Sequence, residues 1–315
     1  MFHIVFENFH GTEKIKLINT RSGEFLSVIP AYGGNINELV LYKNDELHAV
    51  IAGDSNMEEL SGKPSNAYRG AKLSPFANRI KEGAYVFNGT RYTFSKNDNI
   101  HALHGLVWNV PFLIKEKIVT THDAKLILSW HYQKANPGFP FDYKIEIEYA
   151  LKEGEFSCQT IITNHSPVAI PIGDGWHPYL STGSPINELK LKLPSVKKIE
   201  TNQSLIPTGR YIRDNSFALA ALIQDSQLDD CFELDPIKRI VETLLIDERK
   251  NLTLVLWQKT GVYGYNFVHV YTPPHRRSIA IEPTSCAPDA FNNKNGLMVL
   301  DPLESVELMF GIRLE

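Results

Sequence analysis

The chain has 315 residues and a formal net charge of −4, with 43% hydrophobic and 22% charged residues. This composition is typical of a folded globular protein and excludes a disordered or fibrous chain. Lysine and arginine are scattered without forming a block, so the electrostatic footprint of a nucleic-acid-binding protein is missing.

No targeting or membrane-spanning segment is evident. Residues 1–7 lack a basic region followed by an apolar run, and no later apolar segment is long enough to cross a bilayer. We therefore expect a cytoplasmic protein without membrane or nucleic-acid partners. Cys158, Cys231 and Cys286 are odd in number and lack zinc-ligand spacing, which predicts buried thiols.

Strand-like runs recur along the chain, and many alternate polar with apolar residues. The clearest runs are residues 125–132, 143–149, 189–193, 252–257 and 305–310. Helical periodicity is rare, and residues 217–223, its best example, predict a single surface or packing helix. The pattern predicts an all-β protein of large antiparallel sheets packed face to face. No linker or repeat divides the chain, so we expect a single domain over residues 1–315.

Residues 68–80 form the first polar stretch whose side chains could bind a ligand or take part in catalysis. Arg79 follows an apolar, proline-bearing segment that would hold its guanidinium rigidly. A guanidinium placed there could bind several hydroxyl groups at once. The alternative is a surface arginine paired with a carboxylate.

Residues 99–108 contain two histidines, His101 and His104, three positions apart. This spacing would suit metal ligation on a helix, but the neighbouring glycine and β-branched residue favour a loop or a strand end. A third ligand is also missing from the sequence nearby. We therefore predict no metal site.

Residues 172–179 combine a titratable imidazole, His177, with two glycines, a proline and two aromatic residues. Glycine allows tight turns or the close approach of a ligand, and Pro178 favours an extended conformation at His177. Trp176 and Tyr179 have flat faces of the kind on which sugars stack. This stretch predicts a small polar pocket, although an aromatic residue in a β-rich protein also packs readily in the core.

Two further stretches carry carboxylates. Asp229 and Asp230 precede an alternating run, where a solvated turn is the plain interpretation. Glu282 ends an apolar strand and is followed by Pro283. A carboxylate in that position can have its pKa raised and act as a base near neutral pH. The alternative is a charge that marks the end of the strand.

These residues together would suffice for general acid/base chemistry on a polyhydroxylated ligand. No phosphate loop, nucleophile elbow or dinucleotide fingerprint competes with this interpretation.

The motifs resemble those of the aldose 1-epimerase (galactose mutarotase) family, in the family's order and across most of the chain. The matching motifs are Ser74-Pro75-Phe76-Ala77-Asn78-Arg79-Ile80, Leu103-His104-Gly105, Gly138-Phe139-Pro140-Phe141, Gly175-Trp176-His177-Pro178-Tyr179, Ile206-Pro207-Thr208-Gly209, and the run from Ile281 to Asn292.

The resemblance implies a β-supersandwich that interconverts the α and β anomers of a free monosaccharide without cofactor or metal. It implies that Glu282 is the general base and His177 the general acid. His104 and Arg79 would contact the ring-oxygen side and the hydroxyls, and Asp229 would bind the sugar. Asn78, within the Asn-Arg motif, and Trp176, beside His177, are further candidates for substrate binding.

Two departures from the family leave the sugar open. Leu106-Val107-Trp108 follows Leu-His-Gly where a second glycine is usual, and Gln227-Leu228-Asp229-Asp230 replaces a Gly-Tyr-Asp-His stretch. One alternative is a hexose 6-phosphate substrate, with Arg69, Lys72, Arg276 and Arg277 as cation candidates. Others are a non-catalytic sugar-binding protein and a glycosidase using Glu282 and Asp229. The oligomeric state stays open.

Overall fold

The computed structural model describes residues 1–51, 53–61 and 68–315. Their architecture is all-β, as the sequence predicts, and almost every strand pairing is antiparallel. In chain order the strands of the described residues are β1 Phe2–Phe9, β2 Thr12–Asn19, β3 Phe25–Ile29, β4 Asn35–Lys43, β5 Glu46–Ile51, β6 Lys72–Leu73, β7 Arg79–Ile80, β8 Ala84–Phe87, β9 Thr90–Thr93, β10 Ala102–Leu103, β11 Leu113–Val119, β12 Asp123–Gln133, β13 Asp142–Lys152 and β14 Glu155–Asn164. They continue as β15 Ile170–Ile172, β16 Gly175–Trp176, β17 Tyr179–Leu180, β18 Lys190–Lys192, β19 Lys197–Thr201, β20 Pro207–Arg213, β21 Ala221–Leu222, β22 Asp229–Glu233, β23 Ile240–Asp247, β24 Leu252–Lys259, β25 Phe267–Tyr271, β26 Ile279–Thr284, β27 Met298–Leu300 and β28 Ser305–Leu314.

Two large sheets dominate the described part of the chain. The first has 13 strands, of which eleven follow the order β1-β2-β3-β4-β5-β17-β26-β25-β22-β19-β20, while β16 and β6 attach beside β26. The second has nine strands in the order β11-β12-β13-β14-β28-β24-β23-β18-β21. The sheets contact each other where β2 meets β12 and β13 and where β4 meets β28. One extensive hydrophobic core is built from residues of both sheets.

The five strands predicted from the sequence correspond to β12, β13, β18, β24 and β28, and all of them lie in the nine-stranded sheet. The burial of these strands explains why polar and apolar residues alternate in their sequences. Along β13, for example, Tyr143, Ile145 and Ile147 are buried, whereas Lys144, Glu146 and Glu148 are partly exposed. One face of this sheet packs on the core and the other meets solvent.

The helix predicted over residues 217–223 is wrong. Phe217 is buried and its carbonyl accepts the N–H of Leu193, whereas Ala221 and Leu222 form strand β21 beside β18. Seven residues are too few to stabilise a helix against these pairings. The described residues contain two four-residue helices, α1 Met57–Leu60 and α2 Ala290–Asn293, and two 3-10 turns, Lys81–Gly83 and Ile186–Glu188.

The three cysteines are buried free thiols, as the sequence predicts. Among the described residues, no helix has the length and apolar character needed to cross a membrane.

Candidate functional site

A polar cavity of about 240 Å³ opens beside the 13-stranded sheet. It is lined by Tyr68, Asn78, Arg79, Asp98, Leu103, His104, His177, Tyr179, Asp229, His269, Tyr271 and Glu282. Six of the seven predicted site residues are therefore together, although they come from segments up to 204 positions apart in the sequence.

Strand register places His177 opposite Glu282. Gly175 pairs with Thr284 and Tyr179 pairs with Ala280, so the two side chains fall opposite each other where the ladder is interrupted at Pro178. Nε2 of His177 lies 3.3 Å from Oε1 of Glu282, and both side chains are almost fully buried. Within the described residues, Oε2 of Glu282 has no hydrogen-bond partner. The buried pair therefore leaves an acceptor for a ligand.

His269 and Asp229 extend this row of side chains across the sheet. His269 stands directly opposite Glu282 on the neighbouring strand β25. Its Nε2 lies 2.7 Å from Oδ1 of Asp229 on β22. Asp229 and not Asp230 lines the cavity, whereas Asp230 lies 3.6 Å from the Lys198 ammonium.

Asn78 directly precedes strand β7, and His104 directly follows its partner strand β10. The backbone N–H of Asn78 donates to Nδ1 of His104 at 3.2 Å, and the N–H of His104 donates to the carbonyl of Asn78 at 3.0 Å. Because Nδ1 accepts a hydrogen bond, the neutral His104 ring carries its proton on Nε2. Gly105 must be glycine, since a Cβ there would lie 2.2 Å from the Ser74 carbonyl oxygen.

Arg79 both pairs with a carboxylate and lines the cavity, so the two interpretations of its sequence context are compatible. Its Nε donates to Oδ2 of Asp98 at 2.7 Å, and its side chain also lines the cavity. Its backbone carbonyl accepts the N–H of Asp289 at 2.7 Å. The guanidinium is therefore fixed in position by both side-chain and backbone contacts.

Trp176 is not part of the cavity, contrary to its prediction as a substrate-binding residue. Its side chain is fully buried and packs against Tyr149 and Phe310, with the Lys72 ammonium 4.8 Å from its ring. Successive side chains of an extended segment point to opposite faces, so His177 and Trp176 cannot both face the cavity. Tyr179 is the aromatic residue beside His177 that does line it, and the two rings stack at 5.0 Å.

The segment bearing His177 is fixed by buried polar contacts. Fully buried Lys72 forms an ion pair with fully buried Asp174. The carbonyl and N–H of His177 pair with Gly70 and Ala71, and Asp174 exchanges hydrogen bonds with Ser285. Gly173 serves close packing, because a Cβ there would lie 2.6 Å from the Cys286 sulfur.

Burial shifts the proton affinities of the central pair in opposite directions. Burial raises the pKa of Glu282 to about 7, against the lowering effect of the nearby His269 cation. Burial, together with the charge of His269, lowers the pKa of His177 to about 3. Near neutral pH the pair therefore holds about one proton or none, and in the empty site that proton rests on Glu282.

The other two histidines of the cavity also differ in charge. Burial alone would lower the pKa of His269, but its contacts with Asp229, Cys231 and Glu282 raise the pKa well above its ordinary value. Burial lowers the pKa of His104 well below its ordinary value, and the neighbouring His177 and Arg79 add to this effect. The cavity thus contains a cationic His269 and a neutral, proton-donating His104.

His269 is the principal residue that the sequence interpretation missed. It is the one side chain of strand Phe267–Tyr271 that can titrate near neutral pH, and its place between two valines was the available signal. Asp98, Tyr68 and Tyr271 also line the cavity without having been predicted.

The alternative that His101 and His104 together bind a metal ion does not match their geometry. Nδ1 of His101 accepts the N–H of Glu82 at 3.0 Å, and His101 is not among the cavity residues. A different group, His131, Asp142 and His165, brings three ligand atoms within 4.8 Å of one another. None of these three residues lines the cavity.

Solved structures share this fold along the whole chain. A galactose mutarotase-like protein from Clostridium acetobutylicum matches with a TM-score of 0.86 at 19% identity, covering 100% of this chain and 98% of that one. Galactose 1-epimerase from Lactobacillus acidophilus matches with a TM-score of 0.81 at 15% identity, covering 100% and 98%. The fold is therefore that of galactose mutarotase-like proteins.

Sequence comparison defines the family. Residues 15–313 match the family described as aldose 1-epimerase, and the chain belongs to that family. A protein of Escherichia coli K12 named "Uncharacterized protein YihR" is 26% identical over 304 residues, which are 94% of this chain and 92% of that protein. A "Probable aldose 1-epimerase" of Arthroderma benhamiae is 25% identical over 202 residues, covering 58% and 46%.

Proposed function

We propose that this protein is an aldose 1-epimerase that interconverts the α and β anomers of a monosaccharide by opening and reclosing the ring. The observation that carries the proposal is the buried pair of His177 and Glu282, 3.3 Å apart in a polar cavity. Anomer exchange requires one proton to be taken from the C1 hydroxyl and one to be given to the ring oxygen. Two adjacent groups with separated pKa values suit this task.

In the proposed reaction Glu282 accepts the proton of the C1 hydroxyl while His177 donates one to the ring oxygen. The bond between C1 and the ring oxygen breaks, and an open-chain aldehyde forms. Rotation about the bond between C1 and C2 then presents the other face of the aldehyde. The same two groups return the protons in the reverse steps, so no covalent intermediate with the protein is needed.

Sugar binding would move the shared proton to His177. A hydroxyl that donates to the Glu282 carboxylate favours its ionised form, and a ring oxygen that accepts from His177 favours the protonated imidazole. Both hydrogen bonds arise only when the sugar occupies the cavity. The cation of His269 also favours the ionised form of Glu282.

The remaining polar residues would orient the sugar. Arg79 and His104 present N–H donors, and Asp229 presents carboxylate oxygens. The ring of Tyr179, stacked on His177, offers an apolar surface beside the ring-oxygen side. These groups suit a compact polyhydroxylated ring.

Polarimetry on freshly dissolved α-D-glucose, α-D-galactose and other aldoses tests the proposal. We expect the wild type to speed the approach to anomeric equilibrium, and Glu282→Gln and His177→Asn each to lose about 100- to 10,000-fold of that rate. Glu307→Gln and His122→Asn, at positions outside the cavity, are the matched controls and should keep it. Sugar binding without any acceleration by the wild type would instead indicate a non-catalytic sugar-binding protein.

A further inference from the structure

A second cavity, of about 760 Å³, lies near the proposed sugar site and is lined by two arginines and a histidine. Arg69, His275 and Arg277 converge on it together with Ser181, Ser184 and Ser278. Burial lowers the pKa of His275, and the charges of Arg69 and Arg277 add to this effect. In the part of the chain that the structure describes, the Arg277 guanidinium has no carboxylate partner.

The donors of this cavity are held in place by neighbouring groups. Nη1 of Arg69 forms an ion pair with Oδ1 of Asp54 at 2.9 Å, and the Asp54 side chain is only 3% exposed. Nδ1 of His275 accepts the backbone N–H of Arg277 at 3.1 Å, so the neutral ring carries its proton on Nε2. Two guanidinium groups, an imidazole donor and serine hydroxyls form a donor set suited to an oxyanion.

Two paired strands connect this cavity to the sugar site. Leu180 pairs with Ile279, so the adjoining Ser181 and Ser278 lie at the end of the ladder that also places His177 opposite Glu282. Ser278 is four residues from Glu282, or about 13 Å along an extended strand. The Arg69 guanidinium lies 5.9 Å from the centre of the Tyr179 ring, which stacks on His177. Arg69 therefore extends from the second cavity to the ring of Tyr179, which lines the sugar site.

The bonding within a pyranose ring relates the second cavity to one position of the sugar. The ring oxygen is bonded to C5, and C5 carries C6, so the substituent at C6 lies on the side of the sugar that faces His177. We propose that the cavity lined by Arg69, His275 and Arg277 binds an anionic group at C6 of the sugar, such as a phosphate, sulfate or carboxylate. This inference rests on the proposed function, because the role of His177 fixes the position of C6.

The cation set differs from the one considered from the sequence. Lys72 is fully buried in its pair with Asp174, and Arg276 donates to Asn187 and to the carbonyls of Ser226 and Gln224. Neither lines the second cavity. His275, which the sequence interpretation did not include, joins Arg69 and Arg277 as a neutral hydrogen-bond donor.

Calorimetric titration of the whole protein with glucose and glucose 6-phosphate tests this subsite. We expect glucose 6-phosphate to bind at least about tenfold more tightly than glucose, and Arg277→Gln to remove most of that preference. Arg249→Gln changes an exposed arginine paired with Glu188 outside both cavities and should keep the preference. Glucose 6-sulfate and glucuronate identify which kind of anion is preferred.

The inference would be overturned if glucose 6-phosphate, glucose 6-sulfate and glucuronate all bound no more tightly than glucose, or if Arg277→Gln left the preference for the anion unchanged. Anomerisation rates of the same sugars, corrected for the uncatalysed rate, show whether the anion subsite or the proposed epimerase activity is absent. Acceleration of neutral aldoses without any preference for an anion would remove the subsite alone. Tight binding of glucose 6-phosphate lost in Arg277→Gln, without acceleration for any sugar, would support the subsite and remove the epimerase activity.

Discussion

Nε2 of His269 lies 2.7 Å from Oδ1 of Asp229, and the same imidazole stands directly opposite Glu282 on the adjacent strand. The contact with Asp229 is a main reason that His269 keeps a raised pKa in spite of its burial. A buried cation is therefore fixed beside the proposed base. It acts on Glu282 through its charge, against the effect of burial.

The substitution His269→Gln should shift the pH dependence of activity. Without the cation, the pKa of Glu282 should rise, and the alkaline limb of kcat/KM, along which the pair loses its proton, should move to higher pH. Measurements of kcat/KM from pH 5 to pH 9 check this, with the exposed His122→Gln as control. An alkaline limb at the same pH in both variants would show that His269 does not set the ionisation of Glu282.

The wild type should lose activity above a pH of about 7. Burial raises the pKa of Glu282 to about 7, and the pair must hold one proton, because sugar binding transfers that proton to His177 for donation to the ring oxygen. Above that pH, kcat/KM should therefore fall about tenfold for each pH unit. A profile that stays flat up to pH 9 would mean that the reaction does not depend on the proton held by Glu282.

The variant Glu282→Gln should be more stable than the wild type in alkaline solution. A carboxyl group with a raised pKa in the folded state contributes stability that is present below its unfolded pKa of 4.5 and is lost as the pH rises through about 7. At pH 8 the buried charge therefore opposes folding, and glutamine removes it. We expect a gain on the order of 1 to 3 kcal/mol at pH 8 that shrinks towards pH 4.5. Urea unfolding at both pH values measures this, and an equal difference at both would contradict it.

The buried ion pair of Lys72 and Asp174 should be essential for stability. Lys72→Met leaves the Asp174 carboxylate buried without its cation and should cost about 3 to 5 kcal/mol. The double variant Lys72→Met/Asp174→Asn should recover part of that loss, because no unpaired charge remains. Chemical denaturation measures both values. A double variant no more stable than Lys72→Met would show that shape, and not charge, governs this contact.

Trp176 and Tyr179 should respond differently to substitution, because only Tyr179 lines the cavity. Trp176→Phe removes volume from the core and should cost about 1 to 3 kcal/mol of unfolding free energy without changing KM. Tyr179→Leu should raise KM. Steady-state kinetics and unfolding of both variants check this contrast. A raised KM in Trp176→Phe at unchanged stability would indicate that Trp176 contacts the substrate.

The residue pattern was enough to predict the all-β class and five strands of the nine-stranded sheet. That sheet has one face in solvent, so its side chains alternate and the pattern is readable, as along β13. The motifs also identified Glu282, His177, His104, Arg79, Asn78 and Asp229, six residues that line one cavity. Their residue types and the family resemblance were sufficient to identify these six residues.

Which side chains meet in the cavities could not be predicted from the sequence. Every residue of β26, which carries Glu282, is buried, so its sequence shows no alternation and gives no facing direction. The place of His269 depends on pairing between strands, and the core position of Trp176 depends on which face of an extended segment meets the cavity. The grouping of Arg69 with His275 and Arg277 likewise arises from distant segments. Such contacts depend on strand register, which local sequence does not specify.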